Sequence, residues 1–512
     1  MKISGVQNSQ LTREEPASYD LLRAKFKNPP VEHRSVPFWS WNGMLAQDEL
    51  DAQIEGFKKQ GMGGFMIHVR EGLETPYLGD EFIERVKETV AKAKKEGVAA
   101  WLYDEDRYSS GMGGGRVSRL GGDAVRAKAL SLTICRNYEP DDTIQAVYQA
   151  SILGNELFSC KRIRNWKSPS SLLEGEEVYL VMRRHIASPN EWCHGDTYPD
   201  NMNPLSAKLF IETTYDRYKE AVGEEFGRTV PGIFTDEPTI RGFQEQLNEP
   251  RLTWISWSDL LPQAFADKNG YEIWDTLPYF FFHGPFSSKI RHDYWKTVTE
   301  MFCEAYTKQI GNWCGINGLS FAGHLCEEGD IVDAARHCGA VMPHYRYMDV
   351  PGIDTLCEKT DESLTIKQVS SVANQYGKKK VITETYGVIT TILLLTGTIG
   401  LLYGSTNMIL LWIIMLGIGG GFAFSLSMMF FGLRTENAHQ AAKLSGMAQS
   451  IGYLFAAVGP ALIGYLHDAT NSWNLPLFIL LGAAILLFLV GIGAARDRFV
   501  GSRNSYELAR KG

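Results

Sequence analysis

The feature that most constrains this 512-residue chain is a change of solvent preference at Gly387. From 388 to 433 no charged residue occurs, and two further apolar runs follow at 446–466 and 475–495. The short polar turn of Ser405, Thr406 and Asn407 divides the first stretch into runs 388–404 and 408–433. Crossing the hydrocarbon core of a bilayer as a helix takes about 20 apolar residues, with about 17 as a floor. One such run reads as a buried core helix. Four in succession, with glycines at 417, 419, 420 and 421 that permit close helix packing, read as transmembrane helices.

Loop charge supplies an orientation. Arg434 and Lys443 separate the second and third runs, and Arg496, Arg498, Arg503, Arg510 and Lys511 follow the fourth. The other two loops carry neither lysine nor arginine. The excess of positive charge on cytoplasmic loops therefore places the 434–445 loop, the basic tail 496–512 and the part before Gly387 in the cytoplasm. The expected location is the inner (cytoplasmic) membrane, multi-pass. The N-terminal residues lack the apolar core of a signal peptide, in agreement with that orientation.

The part before Gly387 is of a different kind. Residues 1–30 are polar and read as a flexible lead-in. Residues 36–43, 63–70 and 99–106 are β-rich, and helical apolar spacing separates them: Leu45, Leu50, Ile54 and Phe57, then Phe82, Ile83, Val86, Val90 and Ala93. This β-α-β-α-β order with short connections predicts a parallel sheet with helical crossovers. Residues 128–192 alternate differently and predict an antiparallel insertion. Helices are expected near 207–226 and 292–313, and strands at 230–238, 319–328, 344–354 and 379–387. Seven strands with polar or acidic residues at their carboxyl ends suggest an α/β fold, a (β/α)8 TIM-type barrel incomplete before its eighth strand. An all-α segment of four transmembrane helices would follow.

A formal net charge of -8 argues against a nucleic-acid-binding surface. The 8 cysteines form no CxxC pair or zinc-type spacing and read as reduced structural thiols.

Two carboxylates stand out, Glu237 in FTDEP and Glu384 in TETYG, each at the end of an apolar strand. Two carboxyls across a barrel mouth suit glycoside hydrolysis: one protonates the leaving oxygen, the other serves as base or nucleophile. Which takes which role is open at this level. The acidic run Asp104, Glu105 and Asp106 is a weaker signal, since acidic loops are common. His68 and His324, read at strand ends, suit hydrogen bonds to sugar hydroxyls or plain packing.

PFWSWNG, GGFMIHVREGLETPYLGDEF, WLYDEDRYSSGMGGGRV, GIFTDEP and TETYG, in that order, resemble the N-terminal barrel of glycoside hydrolase family 106. The resemblance spans roughly 30–387 and implies an α-L-rhamnosidase-like activity on a carbohydrate substrate. By position it makes Glu237 and Glu384 the catalytic pair and His68, Arg70, Asp104, Asp236 and His324 sugar contacts. It admits a divalent cation, calcium, as cofactor. Residues 434–476, with LSGMAQSIGY, the pair Gly459 and Pro460, and HDAT, resemble the late part of a major facilitator superfamily transporter of the cyanate-permease-like group. The four runs would correspond to its last four helices, and Gln449 and Tyr453 would face a bundle interior or serve in packing. The chain thus reads as a chimera joined near Gly387. Three functions are open to it: a membrane-anchored hydrolase, a transporter fragment moving a small anion such as cyanate, or an inactive fusion.

Overall fold

The computed structural model describes residues 28–385 except 169, 174, 243–252 and 356–363, together with residue 25 and scattered positions between 398 and 482. The chain divides into two compact units, 1–353 with 364–382, and 354–363 with 383–512.

The first unit is built on twelve strands: β1 (Phe38–Gly43), β2 (Gly64–Leu73), β3 (Ala99–Tyr103), β4 (Lys128–Cys135), β5 (Ile144–Leu153), β6 (Glu156–Ile163), β7 (Glu177–Ile186), β8 (Gly232–Thr235), β9 (Thr253–Trp257), β10 (Ser320–Gly323), β11 (Val350–Thr355) and β12 (Ile382–Thr385), the last two running on past its boundary. The seven strands expected from the sequence form one sheet in the order β1-β2-β3-β8-β10-β11-β12. Neighbours from β1 to β11 pair parallel, and the sheet curls into a half-barrel. Residues 64–69 of β2 are buried on both faces, as a parallel strand between a helical layer and a barrel interior must be.

Helices cover the outer face. Asp80–Glu96 buries Phe82, Ile83, Val86, Val90 and Ala93 along one stripe and stops at Gly97, whose φ of 70° suits a left-handed cap. Each of the four larger side chains contributes about 1.5–3 kcal/mol on burial. Two longer helical segments, Pro204–Val222 and Ser287–Ile316, each contain a π-helical turn, at Ile211–Tyr215 and Cys303–Thr307.

The insertion is an antiparallel sheet, β6-β5-β7-β4-β9. Its edge strand β9 comes from beyond β8, between the strand expected at 230–238 and the helix expected near 292–313. The expected strands other than β2 are shortened, most of all at the start of β11. Residues 341–345 are helical, because Val341, His344 and Tyr345 bury one face at i, i+3 and i+4, and β11 begins only at Val350.

The described cysteines are all free thiols. In the second unit, short helical stretches are described at 401–403, 464–466, 468–470 and 474–479. Among the described residues no helix is long and apolar enough to cross a membrane. The runs 388–404, 408–433, 446–466 and 475–495 lie largely outside the described residues, as do the tail 496–512 and most of the lead-in 1–30.

Candidate functional site

Two-residue alternation decides which side chains face the inside of the curled sheet. Met66, Tyr103, Phe234, Ala322 and Val350, one from each of five neighbouring strands, pack together there. Two residues beyond Met66, Phe234 and Ala322 come His68, Asp236 and His324. Successive strand residues point to opposite faces, so these three rise from the same inner surface toward its carboxyl-terminal end. Ligand sites of parallel α/β sheets sit at that end. His324 directly follows β10. His68 does not end a strand: β2 continues to Leu73, which pairs with Gly43 of β1 across a register shift.

Asp236 is the hub. Its Oδ2 accepts a hydrogen bond from the Tyr103 hydroxyl at 2.6 Å, and its Oδ1 lies 3.2 Å from His324 Nε2. Burial works to raise its pKa, but His324, the Tyr103 hydroxyl and the nearby His68 together hold it below the usual carboxylate range. Asp236 is therefore ionised at neutral pH. His68 stacks on Phe38 at 4.5 Å between centroids and meets Tyr103 edge-on at 4.3 Å. Burial, then the positive charge of Arg70, push its pKa down to about 4 against the pull of Asp236. The ring is thus neutral, and its buried Nε2 has no hydrogen-bond partner among the described residues.

Glu237 is half-buried just past β8, with a φ of 46°. Side chains other than glycine adopt this left-handed conformation at a cost of roughly 1–2 kcal/mol, and such strain concentrates at functional sites. A Glu237 carboxylate oxygen and a His324 ring nitrogen lie within 4.8 Å of each other. Glu384 falls on β12, two residues beyond Ile382, with its side chain outside the described residues.

Asp104 sits on the other side of the sheet. It is one residue out of phase with Tyr103 and fully buried, with Oδ1 accepting from Ser110 Oγ and Oδ2 from Tyr215 OH, both at 2.6 Å. Tyr215 belongs to a π-helical turn, where one extra residue re-aims a side chain. Ser110 ties the two layers together, since its hydroxyl also accepts the Asp236 N–H at 2.8 Å. Burial pushes the Asp104 carboxyl up to about 7 although its hydroxyl partners oppose this. Between an unfolded value near 3.8 and the folded value of about 7, the folded chain holds a proton that the unfolded chain has lost. Stability from this group is complete below the first value and is lost as pH rises through the second. Asp104→Asn should abolish that loss, so the melting temperature of the variant should gain on the parent between pH 4 and pH 7. A constant difference across the range would refute the assignment.

Glu105 turns into the glycine-rich loop that follows β3. Its two oxygens accept N–H bonds from Asp106 at 3.1 Å, Met112 at 2.7 Å, Gly113 at 2.7 Å and Gly114 at 2.8 Å. The glycine run allows this wrapping: Gly113, Gly114 and Gly115 have φ values of 58°, 62° and 77°. A Cβ on Gly115 would lie 2.5 Å from the Cys193 carbonyl oxygen. Sequence reasoning gave Glu105 no role beyond an acidic loop, and Ser110, Tyr103 and Tyr215 none. The consecutive glycines after DED were the one available signal. Arg70 is exposed at the same end, over the Tyr108 ring at 5.8 Å.

Calcium takes roughly six to eight oxygen ligands. The described residues of the first unit do not fit it here: a Glu237 oxygen lies within 4.8 Å of a His324 ring nitrogen, a pair far short of that many oxygens. No reaction step is assigned to a metal.

No protein-family model matches the chain. Over 107 residues, 21% of its length, it is 51% identical to an uncharacterized transporter, YycB, of Bacillus subtilis (strain 168), covering 27% of that protein. Over 102 residues, 20% of its length, it is 44% identical to the 2-nitroimidazole transporter of Escherichia coli (strain K12), covering 26% of it. A putative anionic 4-hydroxy-benzoate permease of Thauera aromatica is 45% identical over 95 residues, 19% of this chain and 58% of that one. The chain thus spans about a quarter of the length of the first two of these relatives. Among solved structures, a rhamnosidase from Novosphingobium sp. PP1Y aligns with 74% of this chain and 55% of its own, at a TM-score of 0.49 and 12% identity.

Proposed function

We propose that residues 31–387 are a glycoside hydrolase-like domain of α-L-rhamnosidase type, an incomplete (β/α)8 barrel in which Glu237 and Glu384 form the catalytic carboxylate pair. The observation that carries this reading is the convergence of Glu237, Asp236, His324 and His68 at the carboxyl-terminal end of one curled parallel sheet. One carboxyl protonates the leaving glycosidic oxygen, and the other acts as base or nucleophile. Ionised Asp236 accepts hydrogen bonds from sugar hydroxyls at the rim, and neutral His68 offers its unpartnered Nε2 to another hydroxyl. Arg70 borders the site. Asp104 acts from beneath, through Ser110, which holds the Asp236 backbone. The direct test is release of the aglycone from an aryl α-L-rhamnoside by the full chain. No release above background from that substrate would overturn the proposal.

Residues 388–495 are proposed as four transmembrane helices derived from a transporter, supported by the apolar runs and by the identity of 44–51% over about a hundred residues to transporters. The lipid bilayer is then a partner, with the hydrolase-like part and the C-terminus in the cytoplasm. The chain should remain in the membrane pellet after alkaline carbonate extraction; release into the supernatant would contradict the spans. The same similarity favours a second reading, a transporter fragment moving a small anion. It predicts uptake into vesicles that is indifferent to Glu237→Gln. A chain that neither hydrolyses nor transports is an inactive fusion.

A further inference from the structure

A cavity of about 320 Å³ opens between the end of β2, the glycine loop and the turn around His194. Its walls carry four arginines, Arg70, Arg107, Arg116 and Arg119, against two carboxylates, Glu71 and Asp106. None of the four guanidinium groups pairs with a carboxylate among the described residues. Two are held in place by backbone oxygens instead. Arg116 donates to the carbonyls of Tyr77 at 2.6 Å and Gly113 at 3.2 Å, and Arg107 to that of Glu191 at 2.9 Å while lying over the Trp192 ring. Asp106 is buried, with Oδ2 against His194 Nε2 and Oδ1 without a partner. Thr75, also lining the cavity, is 2% exposed, and its hydroxyl has no partner either.

Unsatisfied buried polar atoms are costly, and a ligand that satisfies them relieves that cost. Guanidinium forks held in place by backbone carbonyls suit an oxyanion, bidentate and with little ordering left to do. A free carboxylate oxygen and a free hydroxyl suit alcohol groups. The volume lies at the lower end of the ordinary ligand range, roughly 300–1,000 Å³, and far exceeds what an inorganic anion fills. We propose that this cavity binds a uronate, an acidic sugar unit, with its carboxylate on the arginines and its hydroxyls on Asp106 Oδ1 and Thr75 Oγ1. The inference rests on the hydrolase reading only in taking the ligand for a sugar.

Calorimetric titration of the full chain in detergent with D-galacturonate, D-galactose and inorganic phosphate tests it. Galacturonate should bind at least about tenfold more tightly than either of the others. Arg119→Glu, an exposed change on the short helix Arg116–Gly121, should weaken galacturonate about tenfold or more without altering the melting temperature. Arg107→Gln should weaken it likewise. Equal binding of galactose, equal binding of phosphate (a plain anion site), or no binding of galacturonate would each overturn the proposal. Binding should be unchanged in Glu237→Gln, which separates the two claims. Uronate binding without rhamnoside cleavage would sink the hydrolase reading alone, and cleavage without uronate binding would sink this one alone.

Discussion

Glu237→Gln should lower the rate of aryl α-L-rhamnoside cleavage by about a thousandfold while leaving the fold intact. The amide keeps the shape and hydrogen-bonding reach of the side chain but can neither give nor take the proton that glycoside cleavage requires. Proton transfer by a positioned side chain is worth about 10²–10⁴ in rate. The backbone conformation, with φ at 46°, is no harder for glutamine than for glutamate, so the substitution adds no strain. Glu237 is half-buried at the rim, and melting temperature should stay within a degree or two of the parent. The readout is kcat/KM on the aryl glycoside beside a thermal melt. Full retention of rate with an unchanged melt would remove Glu237 from the chemistry, and with it the carboxylate-pair reading.

Glu105→Ala should be the most destabilising single change at the carboxyl-terminal end of the sheet. Four backbone N–H groups point at this one carboxylate. Burial and the charge of Asp106 push the Glu105 pKa upward, and the N–H donors of Gly114 and Asp106 oppose them. Each buried donor left without an acceptor costs about 1–3 kcal/mol, so the sum is about 2–6 kcal/mol even if water reaches two of them. Glu105→Gln should also be damaging, because one oxygen becomes an NH₂ that confronts N–H donors. Urea denaturation would read the global loss. Hydrogen exchange at Met112, Gly113 and Gly114 would read the local one, with those amides losing protection first. A loss below about 1 kcal/mol with these amides still protected would show that the loop holds itself without the carboxylate.

The two predictions concern residues of opposite legibility. Glu237 was visible because an acidic residue closing a short apolar strand is a local pattern. So was the succession of the seven strands along the chain, since hydrophobic period and turn residues are properties of adjacent positions. The antiparallel insertion declared itself in the same way, through its change of alternation at 128. The strand expected at 344–354 was begun too early, and only the burial of Val341, His344 and Tyr345 against other elements reveals the helix that ends there.

What tertiary structure alone decided is which acidic and hydroxyl groups belong together. Asp104 and Asp236 look alike in sequence, each near the end of a buried strand. Strand parity sends Asp236 to the inner face with His68 and His324, and Asp104 to the helix side, where a π-helical turn delivers Tyr215. Edge strand β9 and the joining role of Ser110 depend on residues more than a hundred positions apart. The sequence by itself determined the seven strands of the main sheet, their succession and the break in solvent preference at Gly387, because these follow from the polarity of neighbours along the chain. Only the folded chain decided what surrounds each charge, because burial and hydrogen bonding are set by residues that the sequence keeps far apart.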